Sequence, residues 1–186
     1  MKDYSLSEQV LHEFNTFLNE QNKLVAQHKN TIKIDLHCHD TNSSEPDEVL
    51  GRILAIPETW LKTEELIKIL KTHQCSAFTV TNHNNARSCF HQLEKGHDIL
   101  VGAEFSCLVP DFDVGIHVLA YGFTPEQEEK LFKLKDDIYA FQDYTFEHDI
   151  PTIWSHPLYY YKIKGIPPID FFDKMSLLFE RFEVIN

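Results

Sequence analysis

The sequence predicts an α/β fold, and three observations carry that expectation. Short apolar runs of strand length alternate with segments of helical periodicity from Ile32 to the last residue, the rhythm of strands joined through helices. The chain has 186 residues, 42% apolar and 25% charged, which is the size and composition of one packed domain. Histidine or glutamate recurs at or just past the end of most strand-like runs, and in barrel-like folds the C-terminal rim of the strands is where sites are assembled.

Residues 5–28 read as an amphipathic helix. Ser5 and Glu8 have capping-box spacing, and Leu6, Val10, Phe14, Phe17, Leu18 and Val25 recur at helical intervals. We take residues 1–30 as an N-terminal helical extension and 31–186 as the chemically interesting domain. The first strand is expected at Ile32–His37, where apolar and polar residues alternate. A polar loop leads to a helix over Thr63–His73, with Leu66, Ile69 and Leu70 on one face. Ala77–Thr81 reads as a second strand, followed by a helical stretch near Asn85–Leu93. A third strand is expected at Ile99–Phe105 and a fourth at Ile116–Tyr121, separated by the Pro/Asp-rich loop at 109–113. One long helix is expected over Pro125–Phe146, with Leu131, Leu134, Ile138 and Phe141 as its buried stripe. Thr152–Ser155 is the fifth strand, Ile169–Leu178 a helix, and Arg181–Ile185 a sixth strand. Six strands in this rhythm favour a barrel-like arrangement over an open sheet.

The charge balance is 17 Lys and Arg against 29 Asp and Glu, a net charge of −12. Such a chain is badly suited to holding a nucleic-acid backbone, so stable nucleic-acid binding is not expected. No apolar run reaches membrane-spanning length and no signal peptide opens the sequence. Cys38, Cys75, Cys89 and Cys107 lack CxxC spacing and read as reduced thiols of a cytoplasmic protein.

Eleven histidines are the unusual count. An HxH pair alone means little, since that many histidines give roughly 0.6 such pairs by chance. The ordered set is more specific. His37 and His39 end the first strand, His83 follows the second, Glu104 ends the third, His117 lies in the fourth and His156 follows the fifth. In an extended segment His37 and His39 point to one face and can share one cation, with Zn–N distances of about 2.0–2.1 Å. A carboxylate such as Glu104 can bridge two cations, which lie roughly 3.5–4 Å apart in two-metal sites. Cys38 points the opposite way and belongs to the core. His12, His28, His73, His91, His97 and His148 read as background, and Glu183 as a polar residue facing the barrel interior.

Taken together, Asp35-Leu36-His37-Cys38-His39, Thr81-Asn82-His83-Asn84, Gly102-Ala103-Glu104, His117 and Ser155-His156-Pro157 resemble the successive motifs of the PHP family, the polymerase and histidinol phosphatase domain. The resemblance spans about Ile32 to Asn186. It implies a distorted seven-stranded (β/α) barrel, here incomplete at its C-terminus and carrying an extra N-terminal helix. It also implies two or three divalent metal ions (zinc, manganese or iron) and hydrolysis of a phosphoester. By the same resemblance His37 and His39 would hold a first metal, Glu104 would bridge to a second, His117 and His156 would complete the second, and His83 would serve a third. Glu45 is the nearest acidic residue to the position of a further third-metal ligand. Asn82 stands where the family often has Asp.

The family's closing Asp-x-His has no counterpart after Pro157, and a seventh strand is missing. The expectation is therefore a piece of a longer protein whose first and third metal sites are weaker than its second. The implied nucleophile is a hydroxide bridging the first two metals, and no protein nucleophile sits in a triad or elbow context. Arg87 is the expected phosphate contact, through a bidentate guanidinium. The expected substrate is small and phosphorylated, a monoester or a small diester. The competing readings are a non-catalytic, metal-stabilised module of a larger protein and a nuclease or proofreading domain of the same family.

Overall fold

The computed structural model describes residues 12, 15–17, 19, 20, 23, 32–43, 58–163 and 165–183. The chain divides into two compact units, Met1–Lys33 and Ile34–Asn186. In the first, the described residues between 12 and 23 are helical; the remainder of the helix expected over 5–28 lies outside the described residues.

Five strands and five helices are described thereafter: β1 (Lys33–Asp35), α1 (Thr63–Thr72), β2 (Cys75–Phe78), α2 (Arg87–Glu94), β3 (Gly102–Val109), β4 (Val114–Tyr121), α3 (Pro125–Leu134), α4 (Ile138–Glu147), β5 (Thr152–Trp154) and α5 (Ile169–Leu178). No helix among the described residues is long and apolar enough to cross a membrane. β1 pairs with β2, and β3, β4 and β5 form a second sheet in that order. The two sheets are linked beyond β2, where His83 forms a parallel bridge with Glu104. The Glu104 N–H donates to the Asn82 carbonyl (3.2 Å) and the Asn84 N–H to the Glu104 carbonyl (2.7 Å). At the far side Phe182 forms a parallel bridge with Trp154 of β5.

The fold is mixed α/β, yet no closed barrel and no seven-stranded arrangement is present among the described residues; of the sixth strand expected over Arg181–Ile185, Phe182 forms a single bridge and residues 184 and 185 lie outside the described residues. β3 and β4 run antiparallel, and so do β4 and β5. The reason lies in the connections. Only residues 110–113 join β3 to β4, which suffices for a hairpin, whereas a parallel crossover needs a dozen or more residues. The long helix expected over 125–146 is two helices. Lys135 and Asp136 break it, and the Asp137 carboxylate caps α4 by accepting from the Tyr139 and Ala140 N–H groups (3.0 and 3.4 Å). One helix would return the chain to the start of the sheet. Two return it to the end it left, so β5 enters in the opposite sense to β4.

The β3–β4 hairpin sorts its side chains by period two. Ala103 pairs with Ala120, Phe105 with Val118, Cys107 with Ile116 and Val109 with Val114, and all eight are buried in the main core with Phe141, Phe171 and Trp154. Leu66, Ile67 and Leu70 of α1 form a second core with Phe78 and Val80. Burial of these aliphatic and aromatic side chains, at about 1.5–3 kcal/mol each, fixes which face of the sheet is left for polar residues.

Candidate metal centre

The opposite face of the hairpin carries Glu104 and His117. Glu104 is level with Leu119 and His117 with Ser106, so the two are diagonal neighbours on one face, within reach of long side chains. Both are almost completely withdrawn from solvent, with 1% of each side chain exposed. His117 lies within its strand, as expected; Glu104 lies inside its strand rather than at the end, because β3 starts three residues and ends four residues later than the sequence periodicity placed it.

The other ligand-type residues arrive from neighbouring segments. Past β1 the chain stays bonded to the segment that follows β2. The Thr81 N–H donates to the Cys38 carbonyl (2.7 Å) and the Cys38 N–H to Thr81 Oγ1 (3.1 Å). The Cys38 thiol donates to the Thr79 carbonyl, away from the imidazoles on either side of it. His83 is brought in by its bridge to Glu104. His156 follows β5 at φ +29, in the left-handed region and immediately before Pro157, a setting that disfavours this conformation.

These residues converge on one cavity of about 440 Å³, lined by the five imidazoles of 37, 39, 83, 117 and 156 together with Glu58, Glu104 and Tyr159. Two triangles of donor atoms stand out. In the first, His37 Nε2 and His39 Nε2 are 3.1 Å apart and lie 3.2 and 3.1 Å from Glu104 Oε2. In the second, His117 Nδ1 and His156 Nε2 are 3.4 Å apart and lie 3.5 and 3.0 Å from Glu104 Oε1. A tetrahedral zinc with ligands at 2.0–2.1 Å requires ligand–ligand edges of about 3.3 Å, so each triangle has the dimensions of one face of such a site. A third set, His39, Glu58 and His83, also brings its donors within 4.8 Å of one another, as do the overlapping sets His37, Glu104 and His156 and His83, Glu104 and His117. In the third set Glu58 Oε1 is 3.3 Å from His83 Nε2 and Glu58 Oε2 is 3.6 Å from His39 Nδ1.

The donor chemistry fits divalent cations. Imidazole and carboxylate are the ligands of zinc, manganese and iron. In the first triangle two ring nitrogens face each other at 3.1 Å, and a shared cation satisfies two such lone pairs at once. Charge is balanced toward the same end. Burial pulls the His37 imidazolium down, but the hydrogen bonds and charges of Glu104 and Glu183 outweigh it and raise its pKa to about 9. Burial alone would lift the Glu104 carboxyl; His156, His37 and His39 bonded to it hold it well below the usual carboxylate range. Glu58 is likewise lowered, its burial opposed by His83 and His39.

The structure thus brings together His37, His39, His83, Glu104, His117 and His156. Glu45 lies outside the described residues. Arg87 is exposed on α2 and lines a neighbouring depression with Asn42 and Asn85, not the histidine cavity. Sequence reasoning does not single out Glu58, and it reads Glu183 only as a polar residue facing the interior, not as a partner of particular histidines. Glu58 lies in a loop where periodicity carries no information. Glu183 approaches His37 and His156, and its only sequence signal is a charge set between Phe182 and Val184.

No family model matches the chain. No curated protein matches it either. Among solved structures, a candidate metal-dependent phosphoesterase from Bifidobacterium adolescentis superposes with a TM-score of 0.49 at 12% identity, covering 84% of this chain and 78% of the other. An amidohydrolase from Chromobacterium violaceum, solved with bound sulfate and no metal, gives a TM-score of 0.46 at 12% identity, covering 80% of this chain and 73% of the other. The site is therefore read from its own atoms.

Proposed function

We propose that this chain is a metal-dependent phosphoesterase domain. The observation that carries the proposal is the pair of donor triangles sharing Glu104, each with edges of 3.0–3.5 Å. His37 and His39 would hold one divalent ion and His117 and His156 a second, with Glu104 shared between them. His83 and Glu58, with His39 beside them, supply donors for a third. Divalent ions so placed supply an activated water at neutral pH and offset phosphoryl charge.

The protein's own part is positioning. Glu104 sits on a rigid hairpin whose other face is the core, so its two oxygens are fixed relative to four imidazoles. The cavity lining includes no Lys or Arg among the described residues. Tyr159, which lines the cavity, packs its ring 5.2 Å from His156 and 5.6 Å from His117. The choice of a phosphoester over other hydrolysable bonds rests on the likeness of the sequence motifs to the PHP family.

The test is turnover of para-nitrophenyl phosphate and its bis-ester by chain loaded with manganese, zinc or iron. Hydrolysis that is abolished by chelator and by Glu104→Gln is the expected result. A chain that binds two equivalents of metal and cleaves neither ester overturns the hydrolytic reading in favour of a metal-stabilised module without catalysis.

A further inference from the structure

His37 and His156 bond different oxygens of Glu104 and come from opposite ends of the strand array, yet one side chain reaches both. Glu183 Oε1 lies 2.9 Å from His37 Nδ1, the ring nitrogen turned away from Glu104. Glu183 Oε2 accepts the backbone N–H of His156 at 3.1 Å. The carboxylate is 14% exposed. Its backbone is pinned beside β5: the Glu183 N–H donates to the Trp154 carbonyl and the Trp154 N–H to the Arg181 carbonyl, both at 3.0 Å. It is not in the cavity lining and takes no place among the donor triangles.

Each contact answers a specific need. A histidine that gives Nε2 to a cation must keep its proton on Nδ1, and an acceptor there fixes both tautomer and ring orientation. His156 sits at φ +29 before a proline, a strained backbone state that persists only when neighbours hold it. The bond from its N–H to Glu183 is such a hold.

We infer that Glu183 is a positioning residue that sets the spacing of the two donor triangles, orienting the His37 ring with one oxygen and the strained His156 backbone with the other. The inference rests on the two-metal reading of the cavity. It assigns the carboxylate no contact with substrate. Because the clamp spans both triangles, losing it weakens both sites together, whereas loss of a ligand weakens its own site first.

Cobalt(II) titration of the full chain tests this. Glu183→Gln is isosteric but has a single acceptor oxygen, which cannot serve His37 Nδ1–H and His156 N–H at once. The expected result is a fall in affinity of about 10–100-fold for both equivalents, a changed cobalt absorption spectrum, and partial recovery in Glu183→Asp, which keeps two oxygens. Phe182→Ala removes neighbouring packing against Trp154 and is expected to lower stability without changing that spectrum. As a readout without metal, the Nδ1 proton of His37 gives a protected, downfield resonance in the native chain that Glu183→Ala loses. Native affinities and spectrum in Glu183→Gln overturn the inference. Failure of the native chain to bind cobalt overturns the two-metal reading instead, and the proton resonance then decides whether Glu183 holds His37.

Discussion

Metal binding to this cavity must compete with a proton on His37. Without metal that imidazole titrates at about 9, so at neutral pH almost every molecule carries a proton on the nitrogen that faces His39 and Glu104. Metal binding displaces it. Raising the pH therefore strengthens binding, by about tenfold for each pH unit well below the titration point and by about 50-fold from pH 7 to pH 9, where half the molecules still carry the proton. Glu104 adds nothing to this slope, because its carboxyl is already ionised across the whole range. The folding linkage of the metal-free chain has the opposite sign. A histidine raised from 6.5 to about 9 contributes stability that is complete below pH 6.5 and is lost as pH rises through about 9, on the order of 3 kcal/mol in all. The thermal shift produced by metal should consequently widen as pH increases. The assay is competition against a chromophoric chelator of known pH dependence at pH 6.5, 7.25 and 8 (about a 30-fold span), with the released protons counted in a weakly buffered titration. An affinity that stays flat over this range, with no proton released, would refute the assignment of His37 Nε2 as a ligand.

Three further outcomes are expected. Glu104→Gln removes the shared anion from both triangles and should reduce bound metal below one equivalent by elemental analysis, with the far-ultraviolet circular dichroism of the native chain preserved. Glu58→Gln should lower occupancy of the third set alone, so that the two tighter equivalents persist in a zinc titration; loss of all three would show that Glu58 serves the whole cluster. Gly115→Ala should cost roughly 1–3 kcal/mol in denaturant unfolding, as overpacked positions do, because a Cβ at Gly115 would run into the Tyr161 ring, which itself packs 5.4 Å from His117.

Much of the site was legible because ligand chemistry needs particular residue types at particular intervals. The HxH pair, the carboxylate ending an apolar run and the isolated histidines after strand-like segments all proved to line one cavity. The contacts of its two neighbouring carboxylates were not legible. Glu58 lies in a loop whose path no local pattern records. Glu183 meets His37 across 146 positions of sequence, a proximity set by how far the strands curl.

The fold divides the same way. Apolar alternation in β3 and β4 determined which residues face the core and therefore that Glu104 and His117 share the other face; that follows from the two-residue period of a strand and needs no neighbour. The sense of the strands was decided by connections. A four-residue link between β3 and β4 and a break in the helix at Lys135–Asp137 made the central sheet antiparallel where a run of crossover helices would have made it parallel. Residue types set what the cavity can bind. Only the packed backbone set the distances, near 3 Å, at which those side chains meet around Glu104, because distances between remote segments depend on every element packed between them.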